Sequence, residues 1–329
     1  MASQDTKQRL VRLLADGRFR SGQELAGRLG ISRAAVWKQL RSFPATLGIA
    51  VDSVRGRGYR LQQPVELLDA QWIHAALDAA ARPREIVIHD TVDSTNSWLM
   101  AQARTGMPGA TVCLAERQDA GRGRHGRRWV SPFGANIYLS ILWRYPLAPV
   151  ELSGLSLACG VAVARALERI GAPAPALKWP NDVLWQGRKL AGLLLEVGGE
   201  ATGPSHVVAG VGINTRLSPR DAVHIDQPWA DLSAVPGVPS ASRNRLAALL
   251  IGELMEALEQ YGARGLQPFV ADWSAYDCFQ GEVVTLDTGA SQIRGDYRGI
   301  TEQGAIRLQV DGEVRSYTMG EVSLCRRRG

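Results

Sequence analysis

The amino-acid sequence predicts a multidomain α+β protein with a small, basic helical module at its N-terminus. Three observations predict it. At 329 residues the chain exceeds the roughly 100–200 residues of one domain. Its net charge of +6 is unevenly divided: residues 1–62 hold twelve Lys or Arg against four Asp or Glu, or +8, which leaves 26 against 28, or −2, for residues 63–329. From about Arg84, apolar residues at helical spacing give way to short strand-like runs mixed with two helical stretches.

Hydrophobic content of 45% with 21% charged residues belongs to a globular protein and excludes disorder. The start of the chain has no basic stretch leading into an apolar segment and cleavage site, and no run reads as the ~20 apolar residues of a membrane span. Secretion and membrane insertion are therefore not expected, and a cytoplasmic location is. Cys113, Cys159, Cys278 and Cys325 lie far apart without a C-x-x-C pair, so buried free thiols are expected rather than disulfides or a zinc site. Against 34 Arg the chain keeps four Lys: Lys7, Lys38, Lys178 and Lys189. Ammonium and guanidinium are not interchangeable, which draws attention to the internal pair.

In the basic module, Leu10, Val11, Leu13 and Leu14 give a helix one apolar face that ends at Asp16 and Gly17. Ser21 and Glu24 form an S-x-x-E capping box ahead of Leu25 and Leu29, and Gly30 supplies a turn. Ser32 caps the next helix, RAAVWKQLRSF, expected to bury Val36, Leu40 and Phe43. A major groove admits one helix and is read by side chains near its N-terminal end, so Ser32, Arg33, Trp37, Lys38 and Arg41 are candidate DNA contacts. Val54–Leu61, V-R-G-R-G-Y-R-L, reads as two arms about a turn, the basic wing of a winged helix-turn-helix that carries Arg55 and Arg57. A helical hairpin with a solvated face fits the same pattern; the local charge favours a nucleic-acid reader.

Beyond the module, expected strands are Glu85–His89, Thr111–Ala115, Asn136–Trp143, Val183–Trp185, Lys189–Val197 and Val207–Ile213, in a mostly antiparallel sheet, with Leu152–Ile170 as the longest helix. Gly121–Trp129, GRGRHGRRW, contains G-x-G-x-x-G. The dinucleotide fingerprint needs a strand running into that loop and a helix directly after it, and neither is expected here. Four arginines on a glycine-rich backbone suit phosphate neutralisation, with a solvated basic loop as the plain alternative. Lys178-Trp179-Pro180-Asn181-Asp182 closes a strand in strong turn chemistry, and G-R-K-L-A-G at Gly187–Gly192 follows on the returning strand. The hairpin brings Lys189 near Asp182 and Lys178, as a structural ion pair or as groups for chemistry; two rare lysines in one hairpin favour chemistry. Asp93-Ser94-Thr95-Asn96 opens a helix with more polar groups than one cap needs.

Taken in order, D-S-T-N, Q-x-x-G-R-G-R-x-G-R-x-W (Gln118–Trp129), K-W-P-N-D, G-R-K-L-A-G and G-I-N (Gly212–Asn214) resemble the biotin protein ligases. The helix-turn-helix resembles that of their bifunctional branch, which also represses the biotin operon. The resemblance covers essentially the whole chain. It implies a central α+β domain related to class II aminoacyl-tRNA synthetases and a C-terminal SH3-like β-barrel, the latter suiting the short runs Val283–Leu286 and Ala305–Val310. The implied division is 1–64, 65–275 and 276–329.

By the same resemblance, Ser94, Thr95, Asn96 and Gln118 bind the biotin ureido ring and its neighbourhood. Arg122, Gly123 and Arg124, with Trp129 at the loop's end, close on biotin and the acyl phosphate. Lys189 contacts the biotin carboxyl and the α-phosphate, and Lys178, Asn181 and Asp182 complete the site. Arg122, Lys178, Asp182 and Lys189 are the candidate catalytic groups; His125 receives no acid–base role. Arg216–Pro239, which includes Trp229, corresponds to an adenylate-binding loop. The implied substrates are biotin and ATP with Mg²⁺, and no resident metal site is expected. The implied partners are the biotin carboxyl carrier protein of acetyl-CoA carboxylase, double-stranded operator DNA and, on ligand binding, a second copy of the chain. A non-catalytic biotin-sensing repressor, a lipoate-type ligase and an NAD-dependent oxidoreductase are the alternative readings.

Overall fold

In the computed structural model, which describes residues 2–173, 175–238 and 242–324, the N-terminal helices begin at their sequence-assigned caps. Ser21 accepts the Glu24 amide at 3.0 Å and Ser32 the Ala35 amide at 3.1 Å, starting α2 (Gly22–Leu29) and α3 (Arg33–Thr46) beside α1 (Ala2–Leu14). The capping box is only half formed. Arginines one turn away on either side draw off the Glu24 carboxylate, Arg20 at 3.3 Å and Arg28 at 3.0 Å. An antiparallel hairpin of β1 (Val51–Val54) and β2 (Gly58–Leu61) completes the module. Its core of Leu10, Leu14, Leu25, Val36, Leu40 and Phe43 also takes in Phe133 from the central domain.

After α4 (Ala70–Ala76), the central domain runs β3 (Glu85–His89), α5 (Thr95–Arg104), β4 (Thr111–Ala115), β5 (Ile137–Tyr145), α6 (Leu155–Arg169), β6 (Ala176–Lys178), β7 (Asp182–Trp185), β8 (Arg188–Gly199) and β9 (Ser205–Ile213). The strands form one seven-stranded sheet in the order β3-β4-β5-β9-β8-β7-β6. Only β3 and β4 are parallel, so the mostly antiparallel expectation holds. Successive residues of β4 face opposite ways. Cys113 packs with Leu99 and Ala103 of α5, whereas Val112 and Leu114 join the large core shared with α6 and a later helix.

That later helix corrects the sequence reading. After the short α7 (Pro219–Ala222), α8 spans Arg243–Arg264, 22 residues, whereas α6 has 15 because Pro149–Leu152 forms a separate 3₁₀ turn. The signals are ordinary ones: Ser242 caps the Arg245 amide, Leu246, Leu250, Leu254 and Leu258 recur at i+4, and Gly265 ends the helix at φ +63°. A second correction concerns Pro149–Arg169, which is long and apolar enough to cross a membrane. Two-thirds of its 18-residue apolar window is buried, as in the core helix of a globular domain. Cys113 and Cys159 are buried free thiols and Cys278 a half-buried one; burial pushes Cys159 and Cys278 up to about 12, and Cys325 lies outside the described residues.

Following α9 (Val270–Tyr276), the C-terminal domain is an antiparallel sheet of β10 (Val283–Asp287), β11 (Gln292–Ile300), β12 (Ile306–Val310), β13 (Glu313–Tyr317) and β14 (Glu321–Leu324), in the order β13-β12-β11-β10-β14. A bulge bends β11 between Tyr297 and Ile300. The buried Trp179 indole donates to the Gly304 carbonyl at 3.0 Å and so ties this domain to the central one.

The segment joining the first two domains is clasped from below. Arg243, 5% exposed, pairs with Glu116 at 2.7 Å and donates to the carbonyls of Glu66 and Asn136, while Glu116 accepts the Leu68 amide. Burial works to raise the Glu66 carboxyl, but donors from Ser242, Asn244 and the Arg243 amide outweigh it and hold it below its ordinary value. A carboxylate so lowered adds stability at neutral pH that is lost as pH falls through its folded value. Arg243→Met leaves the Glu116 charge buried and unpaired, and is expected to destabilise the protein by about 3–5 kcal/mol, measured by urea denaturation.

Candidate active site

The cleft is built where α5 begins, against the middle of the sheet. Ser94 ends an extended segment and accepts the Ser97 amide, which turns Thr95 and Asn96 down onto β5 and β9. Asn96 fits there because residue 210 of β9 is glycine: a Cβ at Gly210 would land on Asn96 Oδ1. Ser140 of β5, fully buried, donates to that oxygen at 2.6 Å and lies 2.7 Å from the Thr95 hydroxyl. The Thr95 amide donates to Gln118 Oε1 at 2.9 Å, Gln118 Nε2 to Ser131 Oγ at 3.1 Å, and the Ser131 hydroxyl to the Trp129 carbonyl at 3.0 Å. These groups form one polar floor.

The arginine loop closes over this floor as a small hairpin. Arg122 bridges to Arg128, the Gly123 amide donates to the Arg127 carbonyl at 2.7 Å, and the Trp129 amide to the Gly121 carbonyl at 2.8 Å. His125, at φ +53°, and Gly126, at φ +73°, make the tip. No helix follows the loop, since residues 127–136 run irregularly into β5, and the dinucleotide geometry is not formed. The Trp129 indole lies over Gly212, where a Cβ would stand 2.5 Å from the ring; its Nε1 is buried without a partner. Arg122 Nη2 lies 2.9 and 2.8 Å from the two oxygens of Glu196 on β8, and Glu196 also accepts the Asn96 side-chain amide at 2.9 Å.

Across the cleft stands the lysine hairpin. Lys178 pairs with Asp182 in the β6–β7 register, and Lys189 Nζ lies 2.8 Å from Asp182 Oδ1, at an angle that makes this a charge contact rather than a hydrogen bond. Both side chains are about 15% exposed. Asn181 fastens the turn to β8 through the Leu193 carbonyl and amide and accepts Arg124 Nη1 at 3.2 Å. Burial pulls the Arg124 guanidinium below its ordinary value, opposed by the charges of Glu321 and Asp182. The cation is thus partly stripped of water while keeping its charge, ready to face an anion.

Arg216–Val238, the described part of the expected adenylate loop, runs beside Lys189: the Lys189 amide donates to the Pro228 carbonyl and the Ala230 amide to the Lys189 carbonyl, each at 2.9 Å. Asn214 supports this arrangement by donating to the Ala230 carbonyl at 3.1 Å. On the rim, Arg127 pairs with Glu321 of β14 at 2.6 Å. Ser94, Thr95, Asn96, Gln118, Arg122, Gly123, Arg124, Trp129, Lys178, Asn181, Asp182 and Lys189 all line this one cleft, of about 920 Å³ with its open mouth. Sequence reasoning missed Ser140, Glu196, Gly210 and Glu321. Ser140 and Glu196 read as ordinary strand residues; the signal that could have pointed to a close approach on β9 is the pair of strand glycines in G-V-G-I-N at Gly210–Asn214. Among the described residues, no group of three or more His, Cys, Asp or Glu is placed to hold a metal ion.

The other candidate set lies apart from the cleft. Arg33, Trp37, Lys38 and Arg41 are exposed on α3 behind the Ser32 cap, Trp37 to 48%, with Arg41 stacked 4.7 Å from its ring. Arg55 and Arg57 are exposed in the β1–β2 turn, where Arg57 lies 4.2 Å over Phe19. The third arginine of the hairpin, Arg60, is engaged by Asp52 at 2.8 Å and by Phe19.

Comparison with known proteins finds matches to three stretches of the chain. Residues 89–214 match the biotin/lipoate A/B protein ligase family, residues 6–60 a helix-turn-helix domain, and residues 280–325 the biotin protein ligase C-terminal domain. The chain is 42% identical over 318 residues to the bifunctional ligase/repressor BirA of Salmonella typhimurium and 40% identical over 316 residues to that of Escherichia coli, covering 96% of each chain in both cases. Among solved structures it is similar to the biotin protein ligase of Aquifex aeolicus in complex with biotin and ATP, with a TM-score of 0.62 and 28% identity over 74% of this chain and all of that one.

One alanine substitution tests the packing of the floor and a second, on the helical module, an open helix position. Gly210→Ala forces Asn96 aside, and overpacking of this kind is expected to destabilise the protein by about 1–3 kcal/mol. Gly27→Ala on α2, where nothing lies within 4 Å of the added Cβ, is expected to raise stability by about 0.4–1 kcal/mol. Urea denaturation of the two variants measures both.

Proposed function

The chain belongs to the biotin/lipoate A/B protein ligase family and to its bifunctional ligase/repressor branch, and from that premise we propose how its residues carry out the reaction. The protein is a biotin protein ligase with a helix-turn-helix repressor domain. In the first step a biotin carboxylate oxygen attacks the α-phosphorus of ATP, pyrophosphate leaves, and biotinyl-5′-AMP forms. In the second, the neutral amine of a lysine on the biotin carboxyl carrier protein attacks the anhydride carbonyl; an amide forms, AMP leaves and the amine gives up a proton. The observation that carries this reading is a polar floor and four cations, Arg122, Arg124, Lys178 and Lys189, facing the same cleft.

The roles follow from the chemistry. Ser94, Thr95, Asn96 and Gln118 present the fixed donors and acceptors that a ureido ring requires. Two anions approach in the first step and charge builds on the phosphorane oxygens, which Lys189, Lys178 and the loop arginines stabilise. The mixed anhydride is prone to hydrolysis, and the Arg122–Arg128 hairpin covers it and keeps water away. Asp182 holds Lys189 in the free cleft; once the adenylate's anion draws Lys189 away, Asp182 orients the incoming amine or takes its proton. Trp129 and the loop containing Trp229 flank the nucleotide. Magnesium would accompany ATP and offset the charge of its phosphates, while Asp182 in the cleft faces Lys189 at 2.8 Å.

The finer architecture belongs to the same proposal: a central domain related to class II synthetases, a C-terminal sheet whose bulge between Tyr297 and Ile300 supports an SH3-like barrel, and boundaries near residues 64 and 275. So do action in the cytoplasm, where ATP and chromosomal DNA meet, and a homodimer favoured by adenylate that sets two copies of α3 on a palindromic operator.

Pyrophosphate release with biotin and ATP is the direct test; absence of release, or release driven by lipoate instead, overturns the assignment. Lys189→Gln is expected to slow that release by about 10²–10³-fold. For DNA, Arg33→Ala is expected to weaken binding and to reduce the slope of log K against log salt by about 0.9, as measured by gel shift over a salt series.

A further inference from the structure

Glu196 on β8 has no part in the roles set out above, yet it touches both halves of the site. Its two oxygens receive Arg122 Nη2 at 2.9 and 2.8 Å, and one of them also receives the Asn96 side-chain amide at 2.9 Å. Exposed ion pairs contribute little as a rule, but the Glu196 side chain is only 25% exposed and carries a second, charge-assisted hydrogen bond from Asn96, itself 4% exposed. Followed onward, the contacts run from Asn96 to Ser140, Thr95, Gln118 and Ser131 and end on the Trp129 carbonyl. Arg122 and Trp129 are the two stems of the arginine loop. The loop is therefore tied at both ends to one polar floor, and Glu196 is the tie at the Arg122 end.

We propose that Glu196 is a positioning residue: by holding Arg122 to the residue that faces the ring, it couples recognition of the ureido ring to placement of the arginine loop over the carboxylate and phosphate. This rests on the ligase reading of the cleft. Its carboxylate touches no reacting atom and acts through Arg122. In the free protein Glu196 is the anion that Arg122 faces, and the bound acyl phosphate is a second anion competing for the same guanidinium. Arg122 then has two anionic partners in place of one, and the loop is ordered before the adenylate forms.

Glu196→Gln keeps an oxygen for Asn96 and removes the charge that holds Arg122. In the full-length protein, pyrophosphate release is expected to show a biotin KM raised about tenfold, with kcat within about threefold of wild type. In the absence of substrates, trypsin is expected to cut within Arg122–Arg128 about fivefold faster than in wild type, at an unchanged Tm. In an Arg122→Gln background the second substitution is expected to add less than about twofold to KM, because its effect passes through Arg122. Wild-type KM and cleavage rate in Glu196→Gln overturn the proposal. Additive effects in the double variant, or a lower Tm with kcat and KM changed in parallel, also overturn it, since Glu196 then serves only the fold. If the wild-type protein itself releases no pyrophosphate with biotin, the ligase reading fails, while the cleavage comparison still decides whether Glu196 holds the loop.

Discussion

Burying Asn96, Thr95 and Ser140 beneath the start of α5 obliges every one of their polar atoms to find a partner, and the geometry of the cleft follows from how they do so. Asn96 takes Ser140 on one side and Glu196 with the Leu194 carbonyl on the other, which fixes α5 against β5, β8 and β9 together. Gln118 completes Thr95 and passes the constraint to Ser131, hence to the loop stem at Trp129. Glycine at 210 and 212 is the counterpart on β9, since a Cβ at either position would displace Asn96 or the Trp129 ring. A network this complete is stiff, and a stiff floor suits recognition of a rigid polar ring.

Around that floor the charges are arranged in the opposite manner. Lys189 and Asp182 face each other without a proper hydrogen bond, Arg124 is partly desolvated, and Arg122 is held from a strand across the cleft. Cations restrained in this way keep their charge but are incompletely satisfied, and an incoming phosphate completes them. On the proposed reaction, that places stabilisation where negative charge develops in the transition state.

The same floor adjoins the DNA-binding module through three consecutive residues. Glu116 holds the linker at the Leu68 amide, Arg117 donates to the Thr46 carbonyl at the end of α3 at 2.7 Å, and Gln118 reaches the pocket. Phe133, just beyond Ser131, completes the core of the helical module. The cleft and the helical module thus both contact one backbone segment, residues 116–118.

Much of this was legible in the sequence because the deciding residues are local in it. Ser21 and Ser32 announce their helices, and the K-W-P-N-D turn places Asp182 and Lys189 on facing strands. What escaped is what only the third dimension brings together: Glu196 lies 74 residues from Arg122 and 100 from Asn96, with nothing local to distinguish it from a solvent-facing strand residue. The overlooked α8 is a different matter, since its cap and i+4 leucines were plain in the sequence. The most direct test of the account is a crystal structure of the protein with biotin and ATP. It predicts the ureido ring against Asn96 and Gln118 and the α-phosphate between Lys189 and the arginine loop; a ligand bound with its ends reversed, or outside this cleft, contradicts it.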